Sequence, residues 1–377
     1  MKKNCFKAII IEDARHDLEA KVNGIFDKLA PKSFNGMRVL VKPNMLGPAA
    51  PELGHSTHPE VVRAIVRACL SRGAKVTVGD NPGGINRSST GVAQVTGILE
   101  ASEGCFAPIG DKVVEMRGSK SGHTLMISRV VLDADYVINA PIFKTHAGMY
   151  LSGAMKNLYG YVAGACKAQL HLKAPSREEF AEVLCDINEV RHPDLNIMDA
   201  LTVLEGNGPS HGGVKREVGK VFASNNTLVA DTVMAAMVGV EPMRFPVTKR
   251  GQERGFGTTD LSQVEVEGNI VVIPDFKLPN TFIAEATEEM LTRAAQANKM
   301  RDDRLAELLP GRLSVKPLLA IDKCLQCGDC EVNCPAQALT LDPYPVINDK
   351  CIQCFCCVEL CLEGALEVPD VAAFRAY

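Results

Sequence analysis

The sequence predicts a layered α/β body with a mostly parallel sheet and helices on both faces, followed by a small cysteine-rich α+β domain. Three observations lead there. Val- and Ile-rich runs alternate with amphipathic stretches to about residue 275, the order expected of strands joined by crossover helices. The length, 377 residues, exceeds one ordinary core. Eight of the fourteen cysteines stand in two copies of one spacing near the C-terminus.

The elements follow in order. FKAIII, residues 6–11, reads as a strand. Leu18, Val22, Ile25, Phe26 and Leu29 mark one face of a helix. A strand over Met37–Val41 is stopped by Pro43, and THPE then opens a helix with a capping box from Thr57 to Glu60. AKVTV is a strand running into the glycine-rich turn GDNPGG. ADYVINAPIFKTH reads as one long apolar strand, and SGAMKNLYG as the start of a helix. SREEFAEVLCDINEV is an amphipathic helix. LNIMDALTVLEGNGPSHGG is a strand leading into a glycine-rich loop, VGKVFAS a strand, and TLVADTVMAAMVG a helix. A charged helix is expected over 284–309, closed by Pro310 and Gly311. The division is a body over 1–283, a helical linker over 284–314 and a terminal domain over 315–377.

Composition narrows the class. Hydrophobic residues at 46% and charged residues at 23% fit a soluble globular protein, and no apolar run nears the ~18 residues that span a bilayer. MKKNCFKAIIIEDARHD lacks a small-residue cleavage site and reads as a first strand, not an export signal. Fourteen cysteines in a chain of this size then point to metal or redox chemistry over a disulfide scaffold. No basic patch calls for nucleic acid. Residues 315–377 hold nine acidic and four basic side chains, a net of −5, which leaves about +1 for the rest of the −4 chain. An acidic module of this kind suits a more neutral body or a basic partner.

Cys324, Cys327, Cys330 and Cys334 follow C-x2-C-x2-C-x3-C, with Pro335 next, and Cys351, Cys354, Cys357 and Cys361 repeat it. Three thiolates on a tight loop grip three corners of a cubane, and the fourth reaches the other cluster. The spacing assigns Cys324, Cys327, Cys330 and Cys361 to one [4Fe–4S] cluster and Cys351, Cys354, Cys357 and Cys334 to a second. Zinc, the rival, commonly takes two cysteine pairs separated by a spacer. Cys356 is spare and reads as a small buried apolar residue.

In open α/β sheets ligands bind beyond the carboxyl ends of strands. Polar residues stand after each predicted strand: Lys42 and Asn44; Asp80 and Asn81 ahead of Gly83 and Gly84; Lys144, Thr145 and His146; Glu205 and Asn207; Asn225 and Asn226, with Asp231 in the next helix. Each alone has a plain structural reading, since lysines after strands are usually solvated and DNPGG lacks the full dinucleotide fingerprint. Their recurrence at five strand ends is the argument for a site. Lys144, His146 and Lys156 are the candidate catalytic residues, and Lys42, Asn44, Asp80, Asn81, Glu205 and Asn207 the candidate substrate-binding ones. Lys156, near a helix start, is suited to hold an anion or, with a lowered pKa, to act as a nucleophile or base.

Residues 321–368 resemble a bacterial two-cluster ferredoxin, with Leu362 where the second motif would carry proline. VKPN, THPEVVRAIV, GDNPGG, APIFKTH, GAMKNLYG, EGNGP and CIQCFCCVELC, in that order, resemble the uncharacterised family called domain of unknown function 362, in its form with a C-terminal two-cluster ferredoxin. That resemblance implies an α/β body, a cytoplasmic protein and mainly anaerobic hosts. The stretch from His146 to Gly160 is also similar to the histidine–SGG–lysine segment of nickel-pincer lactate racemases, with Ala154 in place of a glycine. It implies that His146 and Lys156 face a ligand.

The expected function is that of an iron–sulfur redox protein whose two [4Fe–4S] clusters pass single electrons to a small anionic substrate or cofactor at the sheet edge. The alternatives are an electron-carrier subunit docking to a partner reductase and an assembly factor for a metallocofactor.

Overall fold

The computed structural model describes residues 5–85, 87–285 and 316–370. In chain order its strands are β1 (Phe6–Ile11), β2 (Arg38–Pro43), β3 (Lys75–Val78), β4 (Val113–Arg117), β5 (Thr124–Ser128), β6 (Tyr136–Ala140), β7 (Ile142–His146), β8 (Tyr150–Ser152), β9 (Leu195–Gly206), β10 (Gly213–Ser224), β11 (Val264–Glu267), β12 (Leu318–Leu319), β13 (Leu339–Leu341), β14 (Pro345–Ile347) and β15 (Leu366–Glu367). The helices before residue 260 are α1 (Leu18–Leu29), α2 (Pro59–Leu70), α3 (Ser89–Val95), α4 (Ile98–Ala101), α5 (Arg129–Asp133), α6 (Ala154–Asn157), α7 (Cys166–Lys173), α8 (Arg177–Val190), α9 (Thr227–Met237) and α10 (Pro246–Glu253).

A nine-stranded sheet carries the order β11-β1-β10-β9-β6-β2-β3, with β7 joined to β8 and β9. The pairs β2–β3, β2–β6, β6–β9, β7–β9 and β1–β11 run parallel and β1–β10 antiparallel. The protein is therefore mixed α/β with a mostly parallel central sheet. Every residue of β6 and all of β2 after Arg38 are buried, the mark of strands covered on both faces. One core packs Val39, Val41 and Ile138 of the sheet against Phe26 of α1 and Ile65 of α2.

The chain separates into two compact units. The first holds residues up to Lys144, Leu151–Leu204 and Lys215–Phe276; the second holds Thr145–Tyr150, Glu205–Val214 and the chain from Lys277. The second unit carries two small antiparallel pairs, β12–β15 and β13–β14. Most of the charged helix expected over 284–309 lies outside the described residues.

Two local expectations change. ADYVINAPIFKTH is two strands, each paired with β9, because Pro141 lacks the N–H that would carry that ladder from β6 into β7. The N-cap of α2 is His58, not Thr57: His58 Nδ1 accepts from Glu60 N at 3.2 Å. Thr57 is taken up elsewhere, its buried Oγ1 donating to Ala140 O at 2.7 Å and accepting from Asn44 N at 2.8 Å. Thr57 thus ties the end of β2 to the end of β6. Thr57→Val leaves both backbone groups without this partner and is expected to cost about 3 kcal/mol in urea unfolding, while Thr57→Ser retains most of the stability.

Candidate functional site

In the first unit, Lys42, Asn44, Asp80, Asn81 and Lys144 belong to one buried polar cluster. Lys42 has no exposed surface; its Nζ lies 2.7 Å from Asp80 Oδ1 and donates to Pro43 O at 2.9 Å. Asp80 spends its remaining capacity on backbone, Oδ2 accepting from Met45 N and Oδ1 from Asn81 N. Asn81 Nδ2 donates to Gly160 O at 2.9 Å. A Cβ at position 160 would stand 1.8 Å from Asp80 Oδ1 and 2.6 Å from Lys42 Nζ. Only glycine lets the backbone lie directly on this ion pair. Burial lowers the pKa of Lys42, with Asp80 opposing the shift.

Lys144 donates to Asn44 Oδ1 at 2.9 Å and to His55 O at 2.5 Å. From Asn44 a chain of amides crosses the sheet. Asn44 Nδ2 donates to Asn157 Oδ1 at 3.0 Å, Asn157 to Asn139 Oδ1 at 2.8 Å, and Asn139 to Asn196 Oδ1 at 2.9 Å. Asn196 completes it on Ser224 O at 3.4 Å. Buried amides demand partners, so each one fixes the orientation of the next.

Lys156 is half-buried on α6. Asp231 anchors that helix: it accepts from Ala154 N at 2.5 Å and Met155 N at 3.0 Å. A Cβ on Gly153 would lie 2.1 Å from Asp231 Oδ1, so glycine again permits the approach. Burial pushes Asp231 up to about 7, against the pull of the two amides. Lys167, which the sequence did not single out, joins the same neighbourhood. Its Nζ donates to Asn81 O and, at 3.4 Å, to Pro82 O, and lies 5.5 Å from the centre of the Tyr159 ring. Burial lowers Lys167 to about 8; Asp80 opposes this, and Lys42 and Lys156 add to it.

His146, Glu205 and Asn207 belong to the second unit, with the cysteines. His146 Nδ1 accepts from Gly148 N at 3.0 Å and Met149 N at 3.1 Å. The ring proton of the neutral tautomer therefore sits on Nε2, 2.7 Å from Glu359 Oε1. Glu359 lies on the short helix Cys356–Leu360. Ala147 is packed with Cys330, Phe355 and Val358, its N–H on Gly208 O at 2.8 Å and its carbonyl taking the Thr281 hydroxyl at 2.7 Å. Glu205 accepts from Lys277 N at 3.3 Å, and Asn207 Oδ1 from Asn280 N at 2.9 Å. Ser210 donates to Val358 O at 3.3 Å. These three predicted residues thus belong to the unit that carries the cysteines.

The two cysteine loops match in backbone. The second and fourth residues after the first cysteine have positive φ in both: Gln326 (57°) and Gly328 (81°), then Gln353 (56°) and Phe355 (59°). Each loop leads into a one-turn helix, Asp329–Val332 or Cys356–Leu360. The last cysteine of each motif accepts from the amide four residues on, Ala338 N to Cys334 Sγ and Ala365 N to Cys361 Sγ, both at 3.2 Å. One cavity is lined by Cys334, Cys351, Cys354 and Cys357 with Phe355 and Ile347 among its other walls. Burial, reinforced by the neighbouring thiols, raises the pKa of Cys357. Among the described residues no group of three His, Cys, Asp or Glu side chains is placed to hold a single metal ion.

Two outcomes follow from the first unit. Gly160→Ala is expected to destabilise the protein by about 3 kcal/mol or more in denaturant titrations, because it overpacks a buried ion pair. Asp231 binds its proton more tightly folded than unfolded, so stability falls as pH rises from about 4 to about 7. Asp231→Asn should flatten the stability profile across that window.

The pattern of the family described as "Domain of unknown function (DUF362)" matches residues 39–236. A thylakoid-associated protein of Synechocystis sp. is 34% identical over 257 residues, which cover 66% of this chain and 78% of that protein. Among solved structures, the lactate racemase apoprotein of Thermoanaerobacterium thermosaccharolyticum aligns at 12% identity and a TM-score of 0.36, over 57% of this chain and 54% of that one. A Thermotoga maritima protein aligns at 13% identity and a TM-score of 0.33, over 54% and 53%. The chain spans about half the length of these two structures. With the family pattern over more than half of its residues and a relative of this identity, the chain belongs to the family of domain of unknown function 362.

Proposed function

We propose that this chain is an iron–sulfur electron-transfer protein. Its cysteine-rich domain, residues 315–377, would hold two [4Fe–4S] clusters in the manner of a two-cluster ferredoxin. Cys324, Cys327, Cys330 and Cys361 would hold one, and Cys351, Cys354, Cys357 and Cys334 the other. The observation that carries this reading is the cavity walled by Cys334, Cys351, Cys354 and Cys357, the four thiols that the spacing assigns to one cluster. Thiols spread around a cavity suit a polynuclear group. The left-handed residues at matching places in both loops support it, because such turns direct backbone N–H groups toward bound anionic groups. When bound, clusters of this kind store and pass single electrons. The protein's own part is to fix the thiols, donate amide hydrogen bonds to Cys334 and Cys361, and limit water through Phe355 and Ile347.

The geometry favours a carrier that hands these electrons to a partner protein. The ammonium groups of Lys42 and Lys144 are buried on protein oxygens and leave no open face for a substrate. The reductase reading retains one specific observation. Lys167 lies within the electrostatic reach of Asp80, Lys42 and Lys156, a grouping of cations at a strand end that suits a small anionic substrate or cofactor. Among the described residues no helix is long and apolar enough to cross a membrane.

Cys357→Ser in anaerobically purified protein tests the reading. It should remove roughly half of the iron and one of two EPR signals of the reduced protein, with the other retained. Full iron content and an unchanged spectrum would overturn the ligand assignment.

A further inference from the structure

The two cysteine loops repeat each other in backbone but differ in surroundings. The second loop is walled in. Ala147 packs against Phe355, a Cβ on Gly148 would touch Cys354 O at 3.4 Å, and His146 Nε2 lies 2.7 Å from Glu359 Oε1. The first loop is open. Leu325 is 69% exposed, Ile321 55% and Val332 56%, and Cys327 between them is exposed too. The residues that match Leu325, Cys327 and Val332 in the second loop, Ile352, Cys354 and Glu359, are all partly covered. Three apolar side chains are exposed within twelve residues of chain, in the same stretch as an exposed thiol.

The charge around that surface is net negative. Asp322, Asp329 and Glu331 are all exposed, and Lys323 pairs with Glu367 at 2.5 Å. Over the described residues 316–370 there are nine Asp and Glu against three Lys. An apolar centre with a charged rim is the anatomy of a weak, transient protein interface, and a rim of one sign steers a partner of the other.

We propose that the Cys324–Cys330 loop is the docking face for a basic one-electron protein. Ile321, Leu325 and Val332 form the contact; Asp322, Asp329 and Glu331 guide the approach. The inference rests on the iron–sulfur reading and adds a direction to it: electrons leave and arrive through the cluster of the first loop. One electron passes to the partner's oxidised centre, and no proton or bond is transferred.

Cytochrome c, a lysine-rimmed one-electron acceptor, is the probe. The full chain is purified without oxygen, its iron measured and its clusters reduced. Its oxidation is then followed by stopped flow across ionic strength. The rate should fall about tenfold between low and high salt, and Asp329→Asn with Glu331→Gln should slow it several-fold at low salt. Oxidation by ferricyanide, a trianion, should not slow in that variant. Asp342→Asn with Asp349→Asn, the same charge change outside the loop, should have little effect. Loss of the salt dependence, or equal slowing by both double variants, overturns the docking face. If the wild type dimerises and Leu325→Asp disperses it without changing the cytochrome rate, the face joins copies of this chain and the proposal fails. Absence of iron in the wild type would instead defeat the iron–sulfur reading itself.

Discussion

Ala147 ties together distant stretches of the cysteine-bearing unit. Its N–H is on Gly208 O, its carbonyl takes the Thr281 hydroxyl, and its side chain lies among Cys330, Phe355 and Val358. A buried backbone must be satisfied locally, and here the partners come from three distant stretches. The flanking groups extend the same constraint. His146 lies against Glu359, Ser210 holds the carbonyl of Val358, and Asn280 links Asn207 with Pro369 O. The segments THAG and EGNGP, which on sequence belong to an α/β body, are therefore structural parts of the unit that carries the cysteines.

The first unit solves a different problem, how to bury lysines beneath a sheet edge. Lys42 is neutralised by Asp80, and Lys144 is solvated by Asn44 and a carbonyl. The amides of Asn44, Asn157, Asn139 and Asn196 then carry hydrogen bonding to Ser224 without a break. Networks of this kind stabilise only when complete, since one unpaired member costs as much as several bonds contribute. Gly153 and Gly160 are the backbone counterparts, each leaving room for a carboxylate that a Cβ would occupy.

Much of the sheet was legible because apolar runs report burial directly, as in VINA of β6 and FKAIII of β1. The break at Pro141 and the cap at His58 were harder, because both depend on which neighbour a backbone group meets. Asn139 and Asn196 carried a readable signal, polar residues inside otherwise apolar strands, that went unused. Lys167 had none: it sits on a weakly amphipathic helix, and its partners, Asn81 and Pro82, lie 85 or more residues away. The assignment of His146, Glu205 and Asn207 to the cysteine unit was equally hidden, since strand-end position does not say which core a loop enters. The repeat in the cysteines was plain in spacing, while the matching left-handed residues at Gln326 and Gln353 emerged only with the backbone.

Strand-end loops and terminal cysteines fold as one unit, and we propose that this unit as a whole is stabilised by the clusters. Hydrogen exchange on the anaerobically purified protein, before and after iron chelation, tests it most directly. Chelation should raise exchange at Ala147–Met149 and at Gly208 together with residues 351–361, while β2 and β6 stay protected. A response confined to 316–370, with Ala147–Met149 unchanged, would contradict the account.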